Sequence, residues 1–172
     1  MTAPRYCPFY CEENVWHLAN DPQVGQGPRH VLLISNAARQ VALWQQRAGA
    51  AENGGLVVWD YHVVLTCAAK VWDLDSRLAQ GVVLAEYLAQ TFRGAPERFA
   101  PAFRVMPAEV YRDALASDRR HMRAEDGAYR QPPPPWPAIG QGHTLDALLD
   151  FERGEPGVVV DLPGLVAYLP GR

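Results

Sequence analysis

The chain has 172 residues, 48% of them hydrophobic and 20% charged, with a formal net charge of −3. That length suits one domain, residues 1–172, able to bury a sizeable core, and the mildly acidic balance excludes the basic stripe of a nucleic-acid binder. No apolar run approaches the roughly 20 residues of a membrane span, and the N-terminal stretch lacks a basic segment followed by an apolar one, so no secretory signal and a cytoplasmic location are expected.

Residues 12–19 read as a short helix, with Val15, Trp16 and Leu18 on its apolar face and Asn20-Asp21-Pro22 ending it. Residues 30–36 and 41–46 read as two strands around a turn, and 49–55 as a loop. The run LVVWDYHVVLTCA (56–68) carries the strongest strand signal in the chain, and VWDLD (71–75) a shorter one. Residues 81–92 have helical spacing. Residues 103–106 suit a strand, and Pro107 the first position of the helix that follows. Residues 117–142 are irregular and include Gln131-Pro-Pro-Pro-Pro-Trp136-Pro, which favours extended polyproline II. That stretch can be a surface linker, a ligand for a proline-binding domain, or a segment packed beside a cleft of its own domain. A capped helix at 144–151, a strand at 157–162 and a short helix toward Arg172 complete the chain. Strands early and late with helices between them predict an α+β fold with a mainly antiparallel sheet.

In the run 56–68, alternation puts Asp60 and His62 on one face. With a four-residue loop at 66–69, residue 65 pairs with 70, 64 with 71, 63 with 72 and 62 with 73. His62 then opposes Asp73, close enough for the carboxylate to fix the imidazole tautomer and leave the other nitrogen as a base. A two-residue slip offers Asp75 instead, and the pattern alone does not choose. Of the three cysteines, Cys7, Cys11 and Cys67, an odd number argues against a disulfide framework. The five histidines show no zinc spacing, so no metal is expected. Cys11 stands at the start of the first predicted helix, where free N–H groups and the helix dipole favour a thiolate. Glu12 and Glu13 oppose that thiolate, so their side chains should turn from the sulfur or bind something cationic. Cys, His and Asp in this order point to papain-like or transglutaminase-like chemistry.

The blocks YCEENVW (10–16), LISN (33–36), VWDYHVVL (58–65), WDLD (72–75), FRV (103–105), ASDRRHM (116–122) and QPPPPWP (131–137) resemble, in order, those of the protein N-terminal glutamine amidohydrolase family. The chain departs from many relatives at Trp72 and Trp136, where tyrosine is common. The resemblance implies a papain/transglutaminase-like α+β fold, a monomer without cofactor, and deamidation of an N-terminal glutamine to glutamate with release of ammonia. It puts the nucleophile on Cys11, the histidine on His62 and the aspartate on Asp73, the first Asp of WDLD. The implied partners are peptides and proteins with N-terminal glutamine, with no nucleic acid and no membrane. Selectivity for a free α-ammonium calls for a carboxylate near these three residues. Asp60, Asp118 and Glu13 are the candidates. Two other readings stay open: a side-chain deamidase or transglutaminase acting on internal glutamines, and a non-catalytic module that binds through its proline-rich segment.

Overall fold

A computed structural model describes residues 3–169. Six strands form one sheet in the order β6-β5-β4-β1-β7-β8: β1 (Arg29–Ser35), β4 (His62–Cys67), β5 (Lys70–Trp72), β6 (Val82–Val83), β7 (Ala102–Pro107) and β8 (Val158–Asp161). Every neighbouring pair in it is antiparallel. A small separate ribbon pairs β2 (Val41–Leu43) with β3 (Val57–Trp59). The fold is thus α+β with an antiparallel sheet.

The central strands are apolar on both sides because helices cover both faces. Val31, Leu33, Val63 and Leu65 pack with α1 (Cys11–Leu18), α3 (Ala108–Ala114) and α4 (Leu145–Leu148). Leu32, Ile34, Val64 and Val105 pack with α2 (Leu84–Thr91) and α5 (Leu162–Tyr168). Burying these side chains supplies most of the driving force, about 1.5–3 kcal/mol for each large aliphatic residue. Among the described residues no helix is long and apolar enough to cross a membrane.

Three expectations need correction. The run 56–68 is not one strand. It breaks at Asp60-Tyr61, where the Asp60 carboxylate accepts the Tyr61 N–H at 2.9 Å and the Asp60 carbonyl accepts the Ser35 hydroxyl. β3 and β4 therefore belong to different sheets, and alternation no longer puts Asp60 on the His62 face. Second, the β4–β5 hairpin turns through two residues, not four, with Leu65 opposite Trp72 and Cys67 opposite Lys70. Ala68 and Ala69 both take positive φ, 46° and 60°, as a tight two-residue hairpin requires. Third, β5 ends at Trp72, so Asp73 and Asp75 lie in the turn after it. Lesser shifts are Pro107 as the last residue of β7 ahead of α3, and a shorter α4 that Thr144 precedes without a side-chain cap. The helix expected toward Arg172 is α5; residues 170–172 lie outside the described part.

The proline-rich segment packs on its own domain. Carbonyls of Gln131, Pro132, Pro134 and Trp136 accept from Tyr10, Cys7 and Arg119. Arg119 makes two bonds to the fully buried Glu13, at 2.7 and 2.8 Å, and Trp136 donates to the same carboxylate at 2.8 Å. This buried ion pair ties α1 to residues 134–136 with its donors and acceptors matched.

Candidate active site

Cys11 is the first residue of α1, and His62 is the first residue of β4. Both line a cavity of about 150 Å³, with Trp59, Asp60, Asp75 and His121 among its walls. A larger cavity of about 360 Å³ lies between the β4–β5 turn and α5, and neither cysteine nor carboxylate lines it. The smaller cavity is the one that brings the expected nucleophile and histidine together.

His62 is 1% exposed. Its Nε2 donates to Asp73 Oδ1 at 2.9 Å, while its Nδ1 is buried without a hydrogen-bond partner. The Trp59 indole stacks on the imidazole, centroids 5.7 Å apart and 15° from parallel. The ring is thus held on one face and at one nitrogen, and the other nitrogen is free. Asp73 is held as firmly. Oδ1 also accepts the Asp75 N–H at 3.0 Å, and Oδ2 accepts the Tyr87 hydroxyl at 2.9 Å and the Gln46 amide at 3.2 Å. Gln46 in turn accepts from the Trp59 indole at 3.3 Å. Burial opposes charge on Asp73, but the attraction and hydrogen bond of His62, with those of Gln46 and Tyr87, outweigh it and hold the carboxyl below its ordinary range. Burial likewise opposes charge on His62, yet Asp73 and then Asp75 raise it above its ordinary value.

The β4–β5 register puts residue 62 two places away from the expected partner, yet the His62–Asp73 contact forms. The reason is that Asp73 has left the ladder: its carbonyl accepts the Ser76 N–H and its side chain accepts the Asp75 N–H. The turn swings its carboxylate to His62. The nitrogen of His62 and an oxygen from each of Asp73 and Asp75 lie within 4.8 Å of one another, the one such group among the described residues. Both Asp73 oxygens are already filled by N–H and O–H donors, which suits a hydrogen-bonded ion pair better than a bound cation.

Cys11 departs from the expectation of a depressed thiol. Burial first, then the Glu12 carboxylate, push it well up, against a smaller lowering from the Val63 backbone N–H. Glu12 does not turn away. It is fully buried, with Oε2 3.9 Å from Sγ and 3.0 Å from the Tyr61 hydroxyl, and Oε1 3.4 Å from His121 Nε2. Glu13 does find a cation, Arg119.

The three carboxylates expected to bind an ammonium stand differently. Glu13 is consumed by Arg119 and Trp136 and does not line the cavity. Asp118 is paired with Arg120 through two oxygens, a bond that holds its carboxyl down at about 2, and it too is off the cavity wall. Asp60 lines the cavity but is exposed. Sequence reasoning missed Gln46, Tyr87, Tyr61 and His121. They reach the site from separate elements, and no spacing in the sequence links them to it.

The chain matches the N-terminal glutamine amidase family over residues 6–169. It is 38% identical to the protein N-terminal glutamine amidohydrolase of Drosophila mojavensis in an alignment covering 95% of this chain and 87% of that one. The proteins of the same name from Drosophila virilis and Drosophila grimshawi are also 38% identical, over 94% and 85% of this chain and 86% and 77% of theirs. With the family model spanning nearly its whole length, the chain belongs to the N-terminal glutamine amidase family.

Proposed function

We propose that this protein hydrolyses the side-chain amide of an N-terminal glutamine, leaving glutamate and releasing ammonia. The observation that carries the reading is His62, locked to Asp73 through Nε2, its Nδ1 without a hydrogen-bond partner, and lining the cavity it shares with Cys11, in a member of this family. His62 Nδ1 takes the Cys11 thiol proton as the sulfur attacks the amide carbon. The imidazolium returns that proton to the departing nitrogen, which leaves as ammonia, and a thioester remains. Water then gives a proton to His62, attacks the thioester carbon, and expels the sulfur, which is reprotonated; the products are glutamate and free thiol. Asp73 stabilises the imidazolium and fixes the tautomer throughout. The N–H groups of the first turn of α1 have no helical partners and are suited to the oxyanion.

On this reading residues 1–172 are one catalytic domain of papain/transglutaminase-like architecture, a cytoplasmic monomer that needs no cofactor. The binding-module alternative loses support because the carbonyls of the proline-rich segment are used within the chain. The test is ammonia release from peptides that differ only in the first residue. Gln-peptides should react. Asn-peptides, one methylene shorter, should lose on the order of 10²-fold through misplacement of the carbonyl, and N-acetyl-Gln peptides should fail. Equal release from all three would replace this reading with a general glutamine deamidase.

A further inference from the structure

Asp75 lies on the wall of the cavity that holds Cys11 and His62, and is 6% exposed. Its Oδ1 accepts the Tyr6 hydroxyl at 2.7 Å. Its Oδ2 takes no hydrogen bond among the described residues, and no cation lies within ion-pair distance of either oxygen. The nearby Arg47 points its Nε to the Ser76 carbonyl instead. A buried carboxylate with an unused oxygen and no cation in ion-pair contact, its charge met only through space by His62 and Arg47, is costly unless a further cation arrives.

The neighbouring surface says where such a cation would come from. A second cavity, about 210 Å³, is lined by Tyr6, Pro8, Arg47 and Ala48, and it shares Phe9, Trp59 and Asp75 with the first. Asp75 thus stands at the junction of two hollows, one with the thiol and one without. An N-terminal residue has this shape: side chain, ammonium and onward peptide diverge from one carbon, and in extended glutamine the ammonium nitrogen is about 5 Å from the amide carbon.

Resting on the proposed reaction at the same site, we infer that Asp75 binds the substrate α-ammonium, with the glutamine side chain in the Cys11 cavity and the peptide leaving along the Tyr6–Arg47 groove. The other carboxylates serve this less well. Glu12 is sealed behind Cys11, Tyr61 and His121, with no exposure. Asp60 and Asp146 line the cavity but are exposed, where water screens a pairing to little. Arg39 and Arg130, at the same rim, are exposed and screened in the same way. The reaction also turns a neutral amide into a carboxylate beside Asp73 and Asp75, so the product is repelled where the substrate was held.

The experiment compares a Gln-peptide with its des-amino analogue, in which hydrogen replaces the ammonium, on wild type and on Asp75→Asn. Wild type should prefer the Gln-peptide in kcat/KM by on the order of 10²-fold. In Asp75→Asn that preference should collapse to near unity, mainly through KM, while Asp60→Asn should keep it. Mere structural damage would lower both substrates together and leave the ratio standing. If Asp75→Asn turns over too slowly, calorimetric binding of the two peptides to Cys11→Ala and to Cys11→Ala/Asp75→Asn gives the same ratio without chemistry. A preference retained without Asp75, or lost with Asp60 instead, overturns the inference. Failure of wild type to release ammonia from any Gln-peptide sinks the proposed function instead.

Discussion

Cys11 and His62 face one cavity without a hydrogen bond between them among the described residues, and the thiol is pushed up while the imidazole is raised. Below the raised His62 value the resting pair is therefore thiol and imidazolium, and reactivity should appear only as His62 loses its proton. Alkylation of Cys11 by iodoacetamide should rise along a limb whose midpoint is above 6.5. Asp73→Asn removes the anion that raises His62, so the limb should move to lower pH and turnover should fall by about 10⁴-fold, as in a related triad. A limb well below 6.5 in the native enzyme would mean a preformed thiolate–imidazolium pair. Cys11→Ala should abolish ammonia release and keep the thermal midpoint within a few degrees, since a small side chain is lost from a site that already borders a cavity. Cys67→Ser should keep most activity, because Cys67 lies at the far end of β4 with its thiol toward the Gln26 and Gly27 carbonyls.

The elements show where pattern reasoning succeeds and where it stops. The strands β1 and β7 were legible, β4 only as part of a run that breaks at Asp60-Tyr61, and α1 began within one residue of the expected place. The hairpin register was not legible, because its two turn residues are Ala68 and Ala69. Tight hairpin turns usually announce themselves with Asn-Gly or Asp-Gly, and alanine at positive φ costs roughly 1–2 kcal/mol. Ala69→Gly should remove that strain, less the extra chain entropy of glycine, for a net gain of roughly 0.5–1 kcal/mol in urea unfolding. Within the candidate site, the His62–Asp73 contact was expected and forms, but it rests on the turn after β5 and not on the ladder. The braces Gln46 and Tyr87 come from a loop and from α2, and only the folded chain brings them in. Arg104 makes the same point on β7. Its strand was expected, but its fully buried guanidinium donates to the carbonyls of Leu148, Asp150, Arg153 and Pro156, more than 40 residues on. Lysine has no fork to reach four carbonyls, so Arg104→Lys should cost on the order of 2–3 kcal/mol.

In the whole molecule the site is assembled from both helical layers and the sheet between them. Cys11 comes on α1 from one side, Tyr87 on α2 from the other, and His62 from the strand between. Its stability is therefore tied to that of the whole fold, and pH should act on both. Asp73 is held below 3.8, so its contribution is complete at neutral pH and is lost as pH falls through that lowered value. His62 is held above 6.5, so its contribution is complete below 6.5 and is lost as pH rises through its folded value. The ion pair thus stabilises the fold across the window from below 3.8 to above 6.5, and removing one partner of such a buried pair costs about 3–5 kcal/mol. Asp73→Asn should lower the unfolding free energy by about that much at pH 6. The deficit should shrink as pH falls through the lowered Asp73 value, where protonation disarms the native pair as well, and as pH rises through the raised His62 value, where the ring becomes neutral. Urea titrations of both proteins from pH 3 to 9 measure it. A deficit that stays constant across that range would mean that Asp73 acts through the Tyr87 and Gln46 hydrogen bonds alone, and that His62 is uncharged in the folded protein throughout.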